Sequence, residues 1–294
     1  MIDDILVIDS HNHAHYHGNN LRTTLENMDR HNIDKSWIMP CEIPLNEWCP
    51  DNAHEVTGFT SDAKIVFENA LNYKEHRPER FVLGYCPDPR DPYAIDKMDA
   101  AVHTYGVQFC GEWKFRMMFD NWDTIDLYRY CGEHNLPVVL HLEYPLPVNR
   151  KYPRPHWWYG GTIEALERVL QLCPETTFIG HAPGFWANIS ANYDFKTEFY
   201  PKGKIVPGGK VSELLRKYPN LYCDISGTSG CNAISRDLDF SMKFIEEFQD
   251  RILYGRDLYH HNLQQETLAM LNLPKDILRK IYSGNSLKLV TPKD

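Results

Sequence analysis

The sequence predicts an α/β fold, a single (β/α)8 barrel of the TIM type, on three observations. Eight short apolar, β-branched runs recur along the chain, segments of helical periodicity fill the intervals, and no break in composition marks a linker. A length of 294 residues lies within the range that one such barrel reaches, so one domain is expected over residues 1–294. A doubly wound open sheet is the alternative, because periodicity alone does not close a barrel.

The strand candidates are ILVID at 5–9, SWIMP at 36–40, FVLGY at 81–85, VQFCGEW at 107–113, PVVLHLE at 137–143, TFIGHA at 177–182, LYCDISG at 221–227 and ILYGRD at 252–257. Apolar residues at three- and four-residue spacing stand between them. Ile163, Leu166 and Leu170 precede Pro174, and Val211, Leu214, Leu215 and Tyr218 precede Pro219. Phe240, Phe244, Ile245 and Phe248 follow Asp239, and Asp123 and Ser61 are read as helix-start residues.

Composition excludes several classes of function. A formal net charge of −9 without a long basic run is the wrong field for a nucleic-acid surface. No apolar stretch approaches the length of a membrane span, and MIDDILVID is not a secretory pattern. The eight cysteines contain no CxxC pair, which fits reduced packing residues and a cytoplasmic protein. The stretch 203–210, GKIVPGGK, is one residue too long for a phosphate loop, and no GxSxG nucleophile elbow occurs.

In barrels of this kind the active site forms where strands end and βα-loops begin. Strand 1 ends in His11 and His13, two residues apart and therefore on one face, which makes a chelating pair. Strand 4 ends in Glu112 and Lys114, strand 5 in His141, strand 6 in His181 and strand 8 in Asp257. Alternation places Cys110, Glu112 and Lys114 on one face. Imidazoles with a carboxylate suit a borderline divalent metal: Zn²⁺ is the first choice, with Mn²⁺ or Fe²⁺ behind it. Such an ion brings the pKa of bound water to roughly 7 and polarises a carbonyl, and a nearby carboxylate can carry the proton.

With IDSHNH opening the chain, LHLE and FIGHAPG mid-chain, ILYGRD near the end and IYSGNSLKLV closing it, the sequence resembles the amidohydrolase superfamily. Within it the resemblance is to the amidohydrolase-related branch, which includes lactonases and an amino-carboxymuconate semialdehyde decarboxylase. It covers nearly the whole chain. The resemblance implies that His11, His13, His141 and Asp257 are metal ligands, that Asp257 also handles the proton of the attacking water, and that His181 stands beside that water or serves a second metal. One ion is expected. Two ions bridged by Glu112 are the alternative, since a strand-4 carboxylate bridges two metals in related barrels.

His15, His17, His260 and His261 are read as surface loop residues, and Arg256, of opposite parity to Asp257, as half of a structural ion pair. Lys114 is read either as an ion-pair partner of Glu112, as a carboxylated metal bridge, or as a substrate cation. The long segments 144–161 and 183–209 mix Arg150, Lys151 and Arg154 with Trp157, Trp158, Trp186 and further aromatics. Long aromatic loops suit a small ring-bearing anion, or rim and subunit packing in a homo-oligomer. Glu112, Lys114, Arg116, Trp157, Trp158 and Trp186 are therefore the candidate substrate contacts. The expected activity is metal-dependent hydrolysis of a C–N or C–O bond in an amide, cyclic amide, lactone or ester. The alternative is non-oxidative decarboxylation with the same ligand set.

Overall fold

A computed structural model of the chain describes residues 4–42, 44, 47, 65–144, 158–194, 200–258 and 261–290. Eight parallel strands follow one another in chain order: β1 Ile8–His13, β2 Lys35–Met39, β3 Phe81–Tyr85, β4 Phe109–Trp113, β5 Val138–His141, β6 Phe178–His181, β7 Leu221–Asp224 and β8 Ile252–Leu253. The first strand meets the end of the last: Ser10 N donates to Tyr254 O at 2.9 Å, and Asn12 bridges to Asp257. The barrel predicted from the sequence is therefore the fold.

Two apolar layers hold it. Inside the barrel, Ile8, Trp37, Met39, Val82, Phe109, Val139, Ile179 and Leu253 form a buried cluster, closed from below by Val290. A larger cluster lies between strands and helices, with Leu166 and Leu170 from the helix Ile163–Leu172, Leu214 and Leu215 from Lys210–Lys217, and Phe244 and Phe248 from Leu238–Phe248. These are the positions that the three- and four-residue spacing selects. Thr162 caps the first of these helices by accepting from Ala165 N, and Asp237 caps the last by accepting from Phe240 N.

The inner cluster also aims the site. Side chains alternate along a strand, so two residues beyond Val139 comes His141, and two beyond Ile179 comes His181. From Leu253 the same step passes through Gly255 to Asp257. A Cβ on Gly255 would stand 3.0 Å from the Cβ atoms of both His11 and Ser226, so glycine lets the strands meet here without either neighbour giving way.

Several expectations need correction. β1 starts and ends later than the 5–9 run, and the two histidines lie within it. Cys110 does not share a face with Glu112: it belongs to the outer layer with Cys86 and Cys131, and the β4–β5 register shifts between Cys110 and Trp113, which resets the alternation. Segment 183–209 is not all loop, because the helix Ala182–Ala187 opens it and buries Phe185 and Trp186. Asp123 lies in the first turn of the helix Trp122–Glu133 as read, with Asn121 as its cap, and Ser61 lies outside the described residues. The seven described cysteines are all free, six of them buried. Among the described residues no helix is long and apolar enough to cross a membrane.

Arg256 forms the structural pair read from its parity. Its Nε donates to Asp9 Oδ2 at 2.8 Å, its backbone N to Asp9 Oδ1 at 2.8 Å, and Nη1 to Asn27 Oδ1 at 2.6 Å, with both charged groups fully buried. Removing one partner of such a pair strands a buried charge, at a cost of about 3–5 kcal/mol. Asp9→Ala is therefore expected to lose at least that much stability in equilibrium urea unfolding, and Asp9→Leu combined with Arg256→Met to recover only the part due to the stranded guanidinium, since the buried Arg256 backbone N still lacks its acceptor.

Candidate active site

A cavity of about 410 Å³ opens where the strands end. His13, Glu112, His141, His181 and Asp257 line it, together with Glu143, Lys114, Cys41, Tyr16, His17 and Tyr200. All five strand ends singled out in the sequence thus contribute to one place, and His11 lies beneath them, fully buried.

Hydrogen bonds set the orientation of three imidazoles. His13 Nδ1 lies 3.1 Å from the carbonyl of Met39, which can only accept, so Nδ1 carries the proton and Nε2 presents its lone pair to the cavity. Asp224 acts likewise on two rings at once: Oδ2 is 3.0 Å from His11 Nδ1 and Oδ1 is 2.9 Å from His181 Nδ1. Ser226 also donates to Asp224 Oδ1, through its backbone N at 3.0 Å and through its hydroxyl. Trp186 Nε1 holds the Asp224 carbonyl at 2.9 Å.

The opposite nitrogens converge. His13 Nε2 is 3.6 Å from Asp257 Oδ1 and 3.7 Å from Glu112 Oε2; His11 Nε2 and His181 Nε2 are 3.8 and 3.7 Å from Glu112 Oε1. These separations exceed a hydrogen bond, and His11 Nε2 is buried without a hydrogen-bond partner. Ligands about 2.1 Å from a shared tetrahedral ion stand about 3.4 Å apart, so the spacing and the orphaned nitrogen fit a divalent metal. His11, His13 and Asp257 form one potential ligand group, and Glu112, His141 and His181 another.

His141 is held differently. Nδ1 is 2.5 Å from Glu112 Oε1 and Nε2 is 2.8 Å from Glu143 Oε2, so both ring nitrogens face carboxylates. A neutral ring has only one N–H to give, and the His141 pKa is raised: burial and Lys114 oppose the charge, but Glu112 and Glu143 prevail. Glu112 stays well below the usual carboxylate range because His141, Lys114 and His13 outweigh its burial. Asp224 is lowered for the same reason by His181 and His11. Burial lowers His13 to about 4 despite Glu112, whereas Asp224, Asp257 and Glu112 overcome burial and raise His11 to about 9.

The remaining candidates divide. Lys114 enters the cavity and sits 5.3 Å from the ring centre of Tyr159. Arg116 does not line the cavity: Glu47 receives its backbone N at 3.0 Å and lies 3.7 Å from its Nε. Trp186 is buried behind Asp224, and Trp158 is half-buried away from the lining. Trp157, Arg150, Lys151, Arg154 and His260 lie outside the described residues. His17, read as a surface residue, lines the cavity.

Asp224 and Glu143 were missed. Asp224 was legible as a strand-7 ending, two residues beyond Tyr222, which packs against the inner cluster. Glu143 lies two residues past His141 at the end of the PVVLHLE run, so the alternation that carries His141 to the cavity places it there as well.

The family model described as amidohydrolase matches residues 8–291. Among solved structures the chain is similar to 2,6-dihydroxybenzoate decarboxylase from Rhizobium, with 16% identity, 97% of this chain and 98% of that chain covered, and a TM-score of 0.61. A probable 2-pyrone-4,6-dicarboxylic acid hydrolase from Acinetobacter baumannii gives 13%, 96% and 98%, and 0.60. 5-Carboxyvanillate decarboxylase from Novosphingobium aromaticivorans, complexed with manganese, gives 16%, 91% and 79%, and 0.57. At these identities the likeness is one of fold. No curated protein matches the chain.

Because Asp224 orients two of the converging imidazoles, Asp224→Asn, which keeps its size but offers one acceptor where the carboxylate offers two, is expected to weaken metal binding about 10–100-fold. Competition against a chromogenic chelator measures this, with an unchanged circular-dichroism spectrum as the control for folding.

Proposed function

The chain belongs to the amidohydrolase family, and on that premise we propose that it is a metal-dependent hydrolase acting on a C–N or C–O bond of a small, ring-bearing substrate. The observation that carries this reading is the convergence of His11, His13 and His181 Nε2 on the carboxylates of Glu112 and Asp257. A bound divalent ion supplies an electrophile for the scissile carbonyl and acidifies water to a pKa of about 7. His11, His13 and Asp257 would hold it, and His141 can join them only by giving up one of its two carboxylate contacts. Zn²⁺ suits a nitrogen-rich set, with Mn²⁺ or Fe²⁺ as alternatives.

The chain's own residues handle the proton. Asp257 is the most solvent-accessible of the converging carboxylates, with 21% side-chain exposure against 2% for Glu112. It takes the proton of the attacking water and returns it to the departing nitrogen or oxygen. His181, whose Nε2 is 4.0 Å from Asp257 Oδ2, stands beside this transfer. The free, buried cysteines support a cytoplasmic location.

Two specific observations favour second readings. Glu112 reaches toward both histidine groups, with Oε2 3.7 Å from His13 Nε2 and Oε1 2.5 Å from His141 Nδ1, which suits a carboxylate shared by two ions. Two of the structural neighbours named above are decarboxylases, and the same ligand set would serve a reaction in which Asp257, having taken a proton from solvent water, passes it to the ring carbon as the C–C bond breaks and CO₂ leaves.

Elemental analysis of purified protein is expected to find tightly bound divalent metal that His11→Ala and His13→Ala remove; full metal content in both variants would sink the reading. Two equivalents, falling to one in Glu112→Gln, would establish the binuclear form. On a panel of lactones, cyclic amides and aromatic acids, ring-opened acid marks the hydrolase and released CO₂ the decarboxylase. With the responding substrate, Asp257→Asn is expected to retain the fold and lower kcat by about 10²–10⁴. A rate within a few-fold of wild type removes Asp257 from the chemistry.

A further inference from the structure

Of the four imidazoles in the site, one is turned the other way. His11, His13 and His181 give Nδ1 to an acceptor behind the cavity, Asp224 for two of them and the Met39 carbonyl for the third, and present Nε2. His141 presents Nδ1: this atom lies 2.5 Å from Glu112 Oε1, whereas Nε2 points to Glu143 Oε2 at 2.8 Å. The two contacts are not equivalent. Glu112 Oε1 sits among the converging nitrogens, 3.8 Å from His11 Nε2 and 3.7 Å from His181 Nε2, and Glu112 belongs with His141 and His181 to one potential ligand group. Glu143 belongs to none of the potential ligand groups among the described residues, although it lines the same cavity.

The place of Glu143 is fixed independently of the ring it meets. Its backbone N and O exchange bonds of 3.0 and 2.9 Å with Tyr159, an antiparallel bridge just past the end of β5, and its side chain is buried. Tyr159 also closes on His141 from the side, edge to face, with ring centres 5.5 Å apart. His141 is paired with His181 across β5 and β6, so backbone register brings both rings to the same point. A neutral imidazole has one N–H, and the hydrogen bond made by one nitrogen decides which of the two keeps a lone pair.

We infer that Glu143 is a positioning residue: it accepts the Nε2 proton of His141 and so commits that ring to serve the ligand cluster through Nδ1, in the opposite sense to His11, His13 and His181. The inference rests on the metalloenzyme reading. With a divalent ion among the converging ligands, no proton is needed between Nδ1 and Glu112, and the single N–H of the neutral ring stands at Nε2, where Glu143 receives it. Of the two carboxylate contacts of His141, the one to Glu112 is given up and the one to Glu143 persists. Without Glu143 the N–H settles at Nδ1 against Glu112, and that nitrogen has no lone pair left for an ion.

Two-bond proton–nitrogen correlation spectra of zinc-loaded protein, isotopically labelled in the histidine ring nitrogens, report which nitrogen of each ring carries the proton, and His141→Gln identifies the signals of that ring by their loss. The expected pattern is a proton on Nε2 and none on Nδ1 of His141, against protons on Nδ1 of His11, His13 and His181. In competition with a chromogenic chelator, Glu143→Ala is expected to weaken zinc binding about 10–100-fold, and Glu143→Gln, which keeps an acceptor oxygen, to recover much of the loss. A His141 ring with its proton on Nδ1, or with protons on both nitrogens, in zinc-loaded wild type would overturn the inference and leave the metalloenzyme reading standing. So would wild-type affinity in a Glu143→Ala variant whose circular-dichroism spectrum is unchanged. If Glu143→Ala does not fold, the wild-type spectrum decides. A wild type that takes up no divalent ion would overturn the metalloenzyme reading, and this inference with it.

Discussion

One carboxylate shared between two imidazoles organises the centre of this protein. Asp224 lies at the end of β7, gives one oxygen to His11 of β1 and the other to His181 of β6, and thereby joins strands that are not neighbours in the sheet. A carboxylate can only accept, so both rings must spend their Nδ1 protons on it and turn Nε2 inward. The backbone of Ser226 and the indole of Trp186 hold Asp224 in turn, and Trp186 is buried against the outer layer. The orientation of two potential metal ligands is thus tied to the packing of the helix Ala182–Ala187.

The barrel was readable because its two periodicities are strict. All eight strands begin within three residues of the apolar runs that announce them, and the three helices with the clearest spacing bury most of the residues that the spacing selects, Phe240 being partly buried and Tyr218 lying just past its helix. Strand parity carried His141, His181 and Asp257 to the cavity because each lies an even number of residues beyond an inner-core side chain. It failed for Cys110 because the register of β4 against β5 shifts beside it, and alternation arguments do not survive a shift. Asp224 went unrecognised for a different reason: its role depends on two histidines 213 and 43 residues away, which no local pattern can express.

Loop residues were the least legible. Aromatic composition alone could not distinguish Trp186, which props a carboxylate from behind, from Tyr200, which faces the cavity. The same holds for charge. Arg116 and Lys114 lie two residues apart, yet Glu47 takes the backbone N of Arg116 and stands near its guanidinium, while Lys114 reaches the cavity. The partner that decides the matter, Glu47, comes from the segment after β2, distant in sequence from both.

The electrostatics of the site follow from this crowding. Glu112, Asp224 and Asp257 surround His11 closely enough to raise its pKa to about 9 in spite of complete burial, whereas His13, whose Nδ1 is satisfied by a neutral carbonyl, falls to about 4. Burial lowers both rings; Asp224 outweighs it at His11, whereas at His13 burial and the neighbouring His11 outweigh Glu112, Asp257 and the Met39 carbonyl. The buried carboxylates create a demand for positive charge at the point where the imidazole nitrogens converge. A divalent cation meets that demand without a proton, and the same nitrogens that would otherwise hold protons are then free to hold the ion. The ligand cluster and the charge balance of the cavity are two aspects of one arrangement, and Asp224, buried behind the cavity lining and bonded to His11 and His181, contributes to both.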